Sequence, residues 1–159
     1  MEYNVFANSY NELYGKEQVK KIKIIKPFIK TNSKSLILDV GCGTGIASKD
    51  LLGIKYGIDN SKELLKKADL KQFLGEAENL PFQNNMFDLV ISLTAIHNFT
   101  DPEKAILEMN RVAKNQIVIT VLKKSKFLDK ISKQIKKHLK INKKIEEEKD
   151  IIFICSKNS

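Results

Sequence analysis

The chain has no tryptophan, three prolines, two cysteines and, among 28 basic side chains, a single arginine, Arg111. Each shortage closes off a class of architecture. Cys42 and Cys155 show no metal-ligand spacing and offer no disulfide framework, so no metal is expected and both read as small packing residues. No segment approaches the roughly 18 uninterrupted apolar residues of a membrane span, and the opening MEYNVFANSY lacks the charged-then-apolar order of a signal peptide. The expectation is a cytoplasmic protein without membrane contact. Internal repeats, low-complexity tracts and obvious linkers are lacking as well. Hydrophobic residues nevertheless make up 42% of the chain, enough to bury a core and far from the composition of disordered sequences, so residues 1–159 are expected to form one domain.

Glycine is also scarce, at seven residues, yet three of them crowd into LILDVGCGTG, residues 36–45. Leu36, Ile37, Leu38 and Val40 suit a parallel strand covered on both faces. Gly41, Gly43 and Gly45 permit a tight turn whose backbone can approach a bound molecule. A helix is expected over residues 45–52, which would aim the free amides of the turn at that molecule. Two better-known glycine loops fail on spacing: the dinucleotide fingerprint needs a glycine where Ile46 stands, and the nucleotide-triphosphate loop has no match. What remains is D-x-G-x-G-x-G with Asp39 just before the turn. An acid there is awkward beside a pyrophosphate but suits a ligand carrying an amine or a sulfonium, which points to S-adenosylmethionine.

On these residues the chain resembles the class I (Rossmann-like) S-adenosylmethionine-dependent methyltransferases, most closely the small single-domain archaeal-type ones that carry LDVGCGTG. The resemblance implies that Asp39, Gly41, Cys42, Gly43 and Gly45 lie on the cofactor. IKYGIDNS (54–61) looks like the second strand of the family ending in an acid, so Asp59 would take the ribose hydroxyls and Asn60 would lie beside the adenine. GEAENLPF (75–82) looks like the third-strand motif, with Glu76 where the family usually has Asp; Glu76 and the amide of Ala77 would hold the adenine edge. FDLVISLTAIHNFTDPEKAI (87–106) looks like the fourth strand, the loop over the methyl-donor end and the following helix, which places Leu93 and Thr94 at the cleft.

The expected organisation is α/β: a Rossmann-like, doubly wound, seven-stranded and mostly parallel sheet with a C-terminal antiparallel hairpin and helices on both faces. A helical lead-in occupies residues 1–33, its helix near 9–30, interrupted by Pro27. The cofactor-binding core covers 34–122, with strands near 36–40, 55–58, 72–75, 87–92 and 116–122 and helices near 45–52, 61–69 and 102–113. A basic helix near 125–139 and a hairpin of 140–146 with 150–156 fill 123–159. In an open sheet of this kind Asp39, Asp59, Glu76 and Leu93 should converge beyond the carboxyl ends of the strands.

The chemistry implied is an in-line methyl transfer, in which alignment alone can supply about 7–11 kcal/mol of barrier lowering. His97 is the candidate base, since imidazole accepts a proton near neutrality; the competing reading is that it shapes or hydrogen-bonds its loop. TAIH stands where enzymes acting on planar exocyclic nitrogens show an N-P-P-Y-like tetrapeptide, and no cysteine is there for covalent activation of a ring carbon. Ordinary O- or N-methylation stays open. So does a carbon nucleophile, as in quinone-precursor methylation.

Net charge is +9, and residues 123–145 hold ten lysines against one acid, Asp129. On a helix Leu128, Ile131, Ile135 and Leu139 form an inward stripe, while Lys126, Lys130, Lys133, Lys137 and Lys140 fall on the opposite side. Such a ridge suits an RNA backbone. A merely solvated lysine face is the competing reading, because arginine and base-stacking aromatics are nearly lacking. In the lead-in, Tyr10 and Tyr14 stand one helical turn apart, and either cap the cleft or pack on the sheet. Relatives of this compact design sometimes need a small zinc-binding activator protein. Three functions stay in play: a methyltransferase for RNA or a translation-linked protein, one for a small molecule, and a cofactor-binding partner subunit without turnover.

Overall fold

A computed structural model describes the backbone of residues 2–158 and the side chains of residues 14–158. Helix α1 (Glu2–Ile25) leads through a short 3-10 turn (Lys26–Phe28) to β1 (Leu36–Val40) and β2 (Ile54–Asp59). Then come α2 (Lys62–Leu65), β3 (Lys71–Leu74), β4 (Phe87–Leu93), α3 (Pro102–Val112), β5 (Ala113–Leu122), α4 (Leu128–His138), β6 (Leu139–Glu146) and β7 (Asp150–Lys157). The seven strands run in the order β3-β2-β1-β4-β5-β7-β6. Strands β1 to β5 are parallel, and β7 inserts antiparallel between β5 and the outer strand β6.

Local chemistry explains the regular elements. Four of the five β1 residues are buried, as a strand with helices on both faces requires. Helix α1 stops at Ile25 because Pro27 cannot donate the next hydrogen bond. Helix α3 starts at Pro102 behind Asp101, whose carboxylate accepts the Lys104 amide at 3.1 Å. Helix α4 buries Ile131 and Ile135 and turns its lysines outward.

Two cores flank the sheet. On one face α3 and α4 bring Ile106, Met109, Ile131 and Ile135 against Leu38, Val90, Ile117 and Phe153. On the other, Ile22 and Ile25 of α1 pack on Ile37, Leu89, Val118 and Ile152.

Two helices depart most from expectation, and α1 lies at Glu2–Ile25 rather than near 9–30. Residues 45–52 form turns and bends, not a helix: Ser48 Oγ bonds back to the Gly45 carbonyl at 3.4 Å and the Leu51 amide to the Ser48 carbonyl at 3.1 Å. The stretch is confined between Gly45 and Gly53, both at positive φ, which leaves too little chain for a stable helix. The helix expected over 61–69 contracts to Lys62–Leu65, capped by Ser61 Oγ on the Leu64 amide at 3.3 Å. It ends early because Leu70 seats on glycines of the sheet and turn; a Cβ at Gly57 would lie 2.7 Å from its Cδ1 and one at Gly45 2.9 Å from its Cδ2. The last helix also starts later than expected, at Leu128, and β5 starts earlier, at Ala113.

Candidate functional site

The glycine turn hangs on the end of β2. The amides of Gly41 and Cys42 both donate to the Ile58 carbonyl, at 2.8 and 3.2 Å. Gly43 N–H donates to Asp59 Oδ2 at 2.8 Å, and Ser61 N–H to Asp59 Oδ1 at 2.8 Å. Gly45 N–H closes on the Cys42 carbonyl at 2.9 Å. These four turn amides are therefore consumed inside the protein, which corrects the expectation that they point at a ligand. The glycines serve space instead. Gly41 sits at φ 74°, and a Cβ on it would meet Ala95 Cβ at 2.8 Å and the Phe99 ring at 3.2 Å, so the loop after β4 closes directly over the turn.

Between that turn and the ends of β2, β3 and β4 lies an open cleft of about 300 Å³. Of the residues singled out in the sequence, Gly41, Gly43, Asp59, Asn60, Glu76, Ala77, Tyr14 and Thr94 line it. Asp39, Cys42, Gly45, Leu93 and His97 do not. Asp39 lies beneath the turn, 2% exposed, with Oδ2 lacking a hydrogen-bond partner. Burial, and secondarily the charge of Asp59, pushes its carboxyl up to about 7. Cys42 and Cys155 are free and buried, and burial raises both thiols, Cys155 to about 12, so neither is a nucleophile at neutral pH. Leu93 reaches the cleft region through its carbonyl, which accepts the Tyr14 hydroxyl at 3.1 Å. Tyr10 lies outside the described side chains.

His97 sits on a 3-10 turn (Ile96–Asn98) between the lining residues Ala95 and Asn98. Its Nδ1 is buried without a partner. Burial holds its pKa below the ordinary imidazole value, with Asp150 opposing in part, so the ring is neutral at pH 7.

The sequence reading missed Ile58, Ser61, Leu64, Gly75, Ala95, Asn98 and Phe99 in the wall. Ser61 carried a signal, the helix-capping position after a strand-ending acid. Ala95, Asn98 and Phe99 belong to the loop that closes on Gly41, a contact across the fold that no local pattern encodes, while Ile58, Leu64 and Gly75 come from β2, α2 and the end of β3.

Away from the cleft, Lys126, Lys130, Lys133, Lys137 and Lys140 are all exposed. The sole arginine is unavailable for phosphate. Arg111 donates to the carbonyls of Leu80 and Phe82 at 2.9 and 2.8 Å, to Asn84 Oδ1 at 2.9 Å and to Glu108 at 2.6 Å, stapling the 80–84 loop to α3. Among the described residues, no helix is long and apolar enough to cross a membrane.

The donor set fits a nucleoside carrying a cationic amino-acid tail. Each Asp59 oxygen makes one hydrogen bond within the protein and keeps a lone pair for a hydroxyl, while the partnerless Asp39 carboxylate is suited to a positive charge nearby.

Comparison with known proteins bears on the fold and the family. The chain is 29% identical over 146 residues to an uncharacterized protein of Methanocaldococcus jannaschii, an alignment covering 89% of this chain and 71% of the relative. The fold of the chain is similar to that of a SAM dependent methyltransferase from Aquifex aeolicus, with a TM-score of 0.73, 20% identity and coverage of 86% and 88% of the two chains. It also matches the putative methyltransferase solved in complex with the Haloferax volcanii Trm112 methyltransferase activator, with a TM-score of 0.81, 14% identity and coverage of 99% and 98%. A sequence family described as Methyltransferase domain matches residues 38–121, the stretch that builds the glycine turn and most of the cleft, and the chain belongs to that family.

Proposed function

We propose that the cleft binds S-adenosylmethionine and that the protein transfers its methyl group to an oxygen or nitrogen nucleophile on RNA or a translation-linked protein. The observation that carries the first half is the meeting of Asp59, Glu76 and the Gly41 turn in one cleft beyond the carboxyl ends of the strands. When bound, the cofactor supplies a methyl group already activated on a positively charged sulfur. The residues of the chain bind and orient. Asp59 accepts the ribose hydroxyls with its remaining lone pairs, Asn60 and Glu76 flank the adenine, and the Ala77 amide faces its edge. Asp39 supplies negative charge beneath the turn. Thr94 and Tyr14 wall the far end of the cleft, and neutral His97 is in the right protonation state to accept a proton from the nucleophile.

The acceptor class rests on α4 and its surroundings, where ten lysines and one acid fall within residues 123–145; Lys130, Lys133 and Lys137 are exposed on α4, with exposed Lys126 just before it and exposed Lys140 in β6, where the helix expected to carry all five has already ended. Phosphate contacts of this kind release counterions and bind in a salt-dependent manner. A second proposal concerns a partner: the likeness to the Haloferax methyltransferase runs over nearly the whole of both chains, which favours a small activator subunit for this protein too.

The test is methyl transfer from labelled S-adenosylmethionine into a cell extract, with and without such an activator, followed by separation of RNA, protein and small molecules. Label in RNA or protein is expected. Label confined to small molecules would move the acceptor to the quinone-precursor class, and tight cofactor binding with no label anywhere would make the protein a non-catalytic partner subunit. His97→Ala is expected to lower turnover while leaving cofactor affinity nearly intact; unchanged turnover across pH would remove His97 from the chemistry.

A further inference from the structure

A buried ion pair sits beneath the turn that ends β4. Lys21 Nζ of α1 lies 3.2 Å from Asp150 Oδ2 at the start of β7, and the two side chains are 1% and 0% exposed. The same carboxylate oxygen accepts the hydroxyls of Thr94 and Thr120, at 2.6 and 2.9 Å. Lys21 Nζ also donates to Thr94 Oγ1 at 3.0 Å, and the Thr94 amide donates to Thr120 Oγ1 at 2.8 Å. Three segments distant in sequence thus hold one residue of the loop.

That residue is strained. Thr94 has φ 53°, a left-handed conformation that β-branched side chains rarely adopt and that persists only where the surroundings over-determine it. Stability alone does not account for the pair, because two buried charges are costly to desolvate and apolar residues of similar size often serve a core as well or better. What the pair holds is a wall of the cleft. Thr94 lines it with its hydroxyl engaged in the network, the preceding Leu93 carbonyl takes the Tyr14 hydroxyl, and the following Ala95 stands over Gly41.

We infer that Lys21 and Asp150 are positioning residues: they lock Thr94 in its left-handed turn and so set residues 93–95 against Gly41, shaping the part of the cleft that receives the amino-acid end of the cofactor. The inference rests on the cofactor reading of the cleft.

Calorimetric binding of S-adenosylmethionine and of adenosine, which lacks the amino-acid end, tests it. The variant Lys21→Met with Asp150→Leu removes both charges together and leaves neither alone in the core; a thermal melt checks that it folds. It is expected to bind adenosine within twofold of the unaltered protein and S-adenosylmethionine at least tenfold more weakly. Adding Thr94→Gly, which tolerates positive φ without a tether, should then recover severalfold of the lost affinity. Thr120→Val, a milder change that keeps both charges, should weaken S-adenosylmethionine threefold or more and spare adenosine, and it serves alone if the double variant does not fold. Unchanged S-adenosylmethionine affinity in these variants, or equal weakening of both ligands with no rescue by glycine, would reduce the pair to a structural feature and overturn the inference. An unaltered protein that binds neither ligand would overturn the cofactor reading itself, and this assignment with it.

Discussion

At Asp39 a single buried carboxyl ties the stability of the fold to pH. Its carboxyl titrates near 3.8 when unburied and at about 7 in the fold, so between those values the folded state holds a proton that the unfolded state has lost. Stability from this group therefore falls as pH rises from about 4 to about 7 and is level above. Replacing Asp39 with Asn should remove that part of the decline, giving a melting temperature at pH 8 above that of the unaltered protein. A cation bound nearby favours the carboxylate, so affinity for S-adenosylmethionine should increase from pH 6 to pH 8 and lose this dependence in the Asn variant. Calorimetry across that range decides it, and a flat profile in the unaltered protein would refute the coupling. At Asp59 the expected cost of Ala is roughly 1–3 kcal/mol of cofactor affinity, the usual penalty for stranding a hydrogen-bond partner; equal affinity would contradict the ribose assignment. Asp59 was legible in the sequence because it ends a strand. Lys21 was not, since nothing distinguishes it from its lysine neighbours until β7 places Asp150 beside it.

Among the elements, the strands were the most readable and the short helices the least. LILDV and IIFIC are apolar runs with one structural outcome in a covered sheet, and β1 matches its expected limits while β7 extends by one residue. The 45–52 and 61–69 segments have helix-forming composition, but Gly53 limits the first and the seating of Leu70 on Gly57 ends the second, contacts that only the assembled sheet supplies. Helix α4 was legible because its stripe of Ile131 and Ile135 repeats at helical spacing. Its lysines yield a prediction at this scale. Exchanging Lys130, Lys133 and Lys137 for Glu changes the charge of one exposed face by about six units and touches no core contact. Binding to bulk transfer RNA, measured by filter retention at rising salt, should be salt-sensitive in the unaltered protein and lost in the variant, while the melting temperature moves little. Absence of binding even at low salt would remove the RNA reading and leave a solvated face.

For the whole molecule the decisive arrangement is the insertion of β7 between β5 and β6. It protects Ile117, Ile119 and Val121 of β5, all fully buried, from standing at a sheet edge. A chain truncated before β6 would expose that edge and its unpaired backbone. Size-exclusion chromatography should then show oligomers or aggregate where the untruncated protein elutes as a discrete species; a well-behaved truncated protein would show that the parallel strands suffice. The general order of parallel strands followed by a hairpin could be anticipated from the alternation of patterns. The tie between the hairpin and the cleft wall could not, because it depends on Thr94, Thr120 and Asp150 meeting from three strands or their ends.

That tie also bears on biogenesis. The segments of the glycine turn and Asp59 are synthesised long before β7, yet a domain generally folds as a unit. Thr94 gains its acceptor at 2.6 Å only when Asp150 has been made and β7 has slotted beside β5. The wall of the cleft at Thr94 is therefore finished by a strand made well after the segments that line the rest of it, and β7 acts as the clasp that closes it.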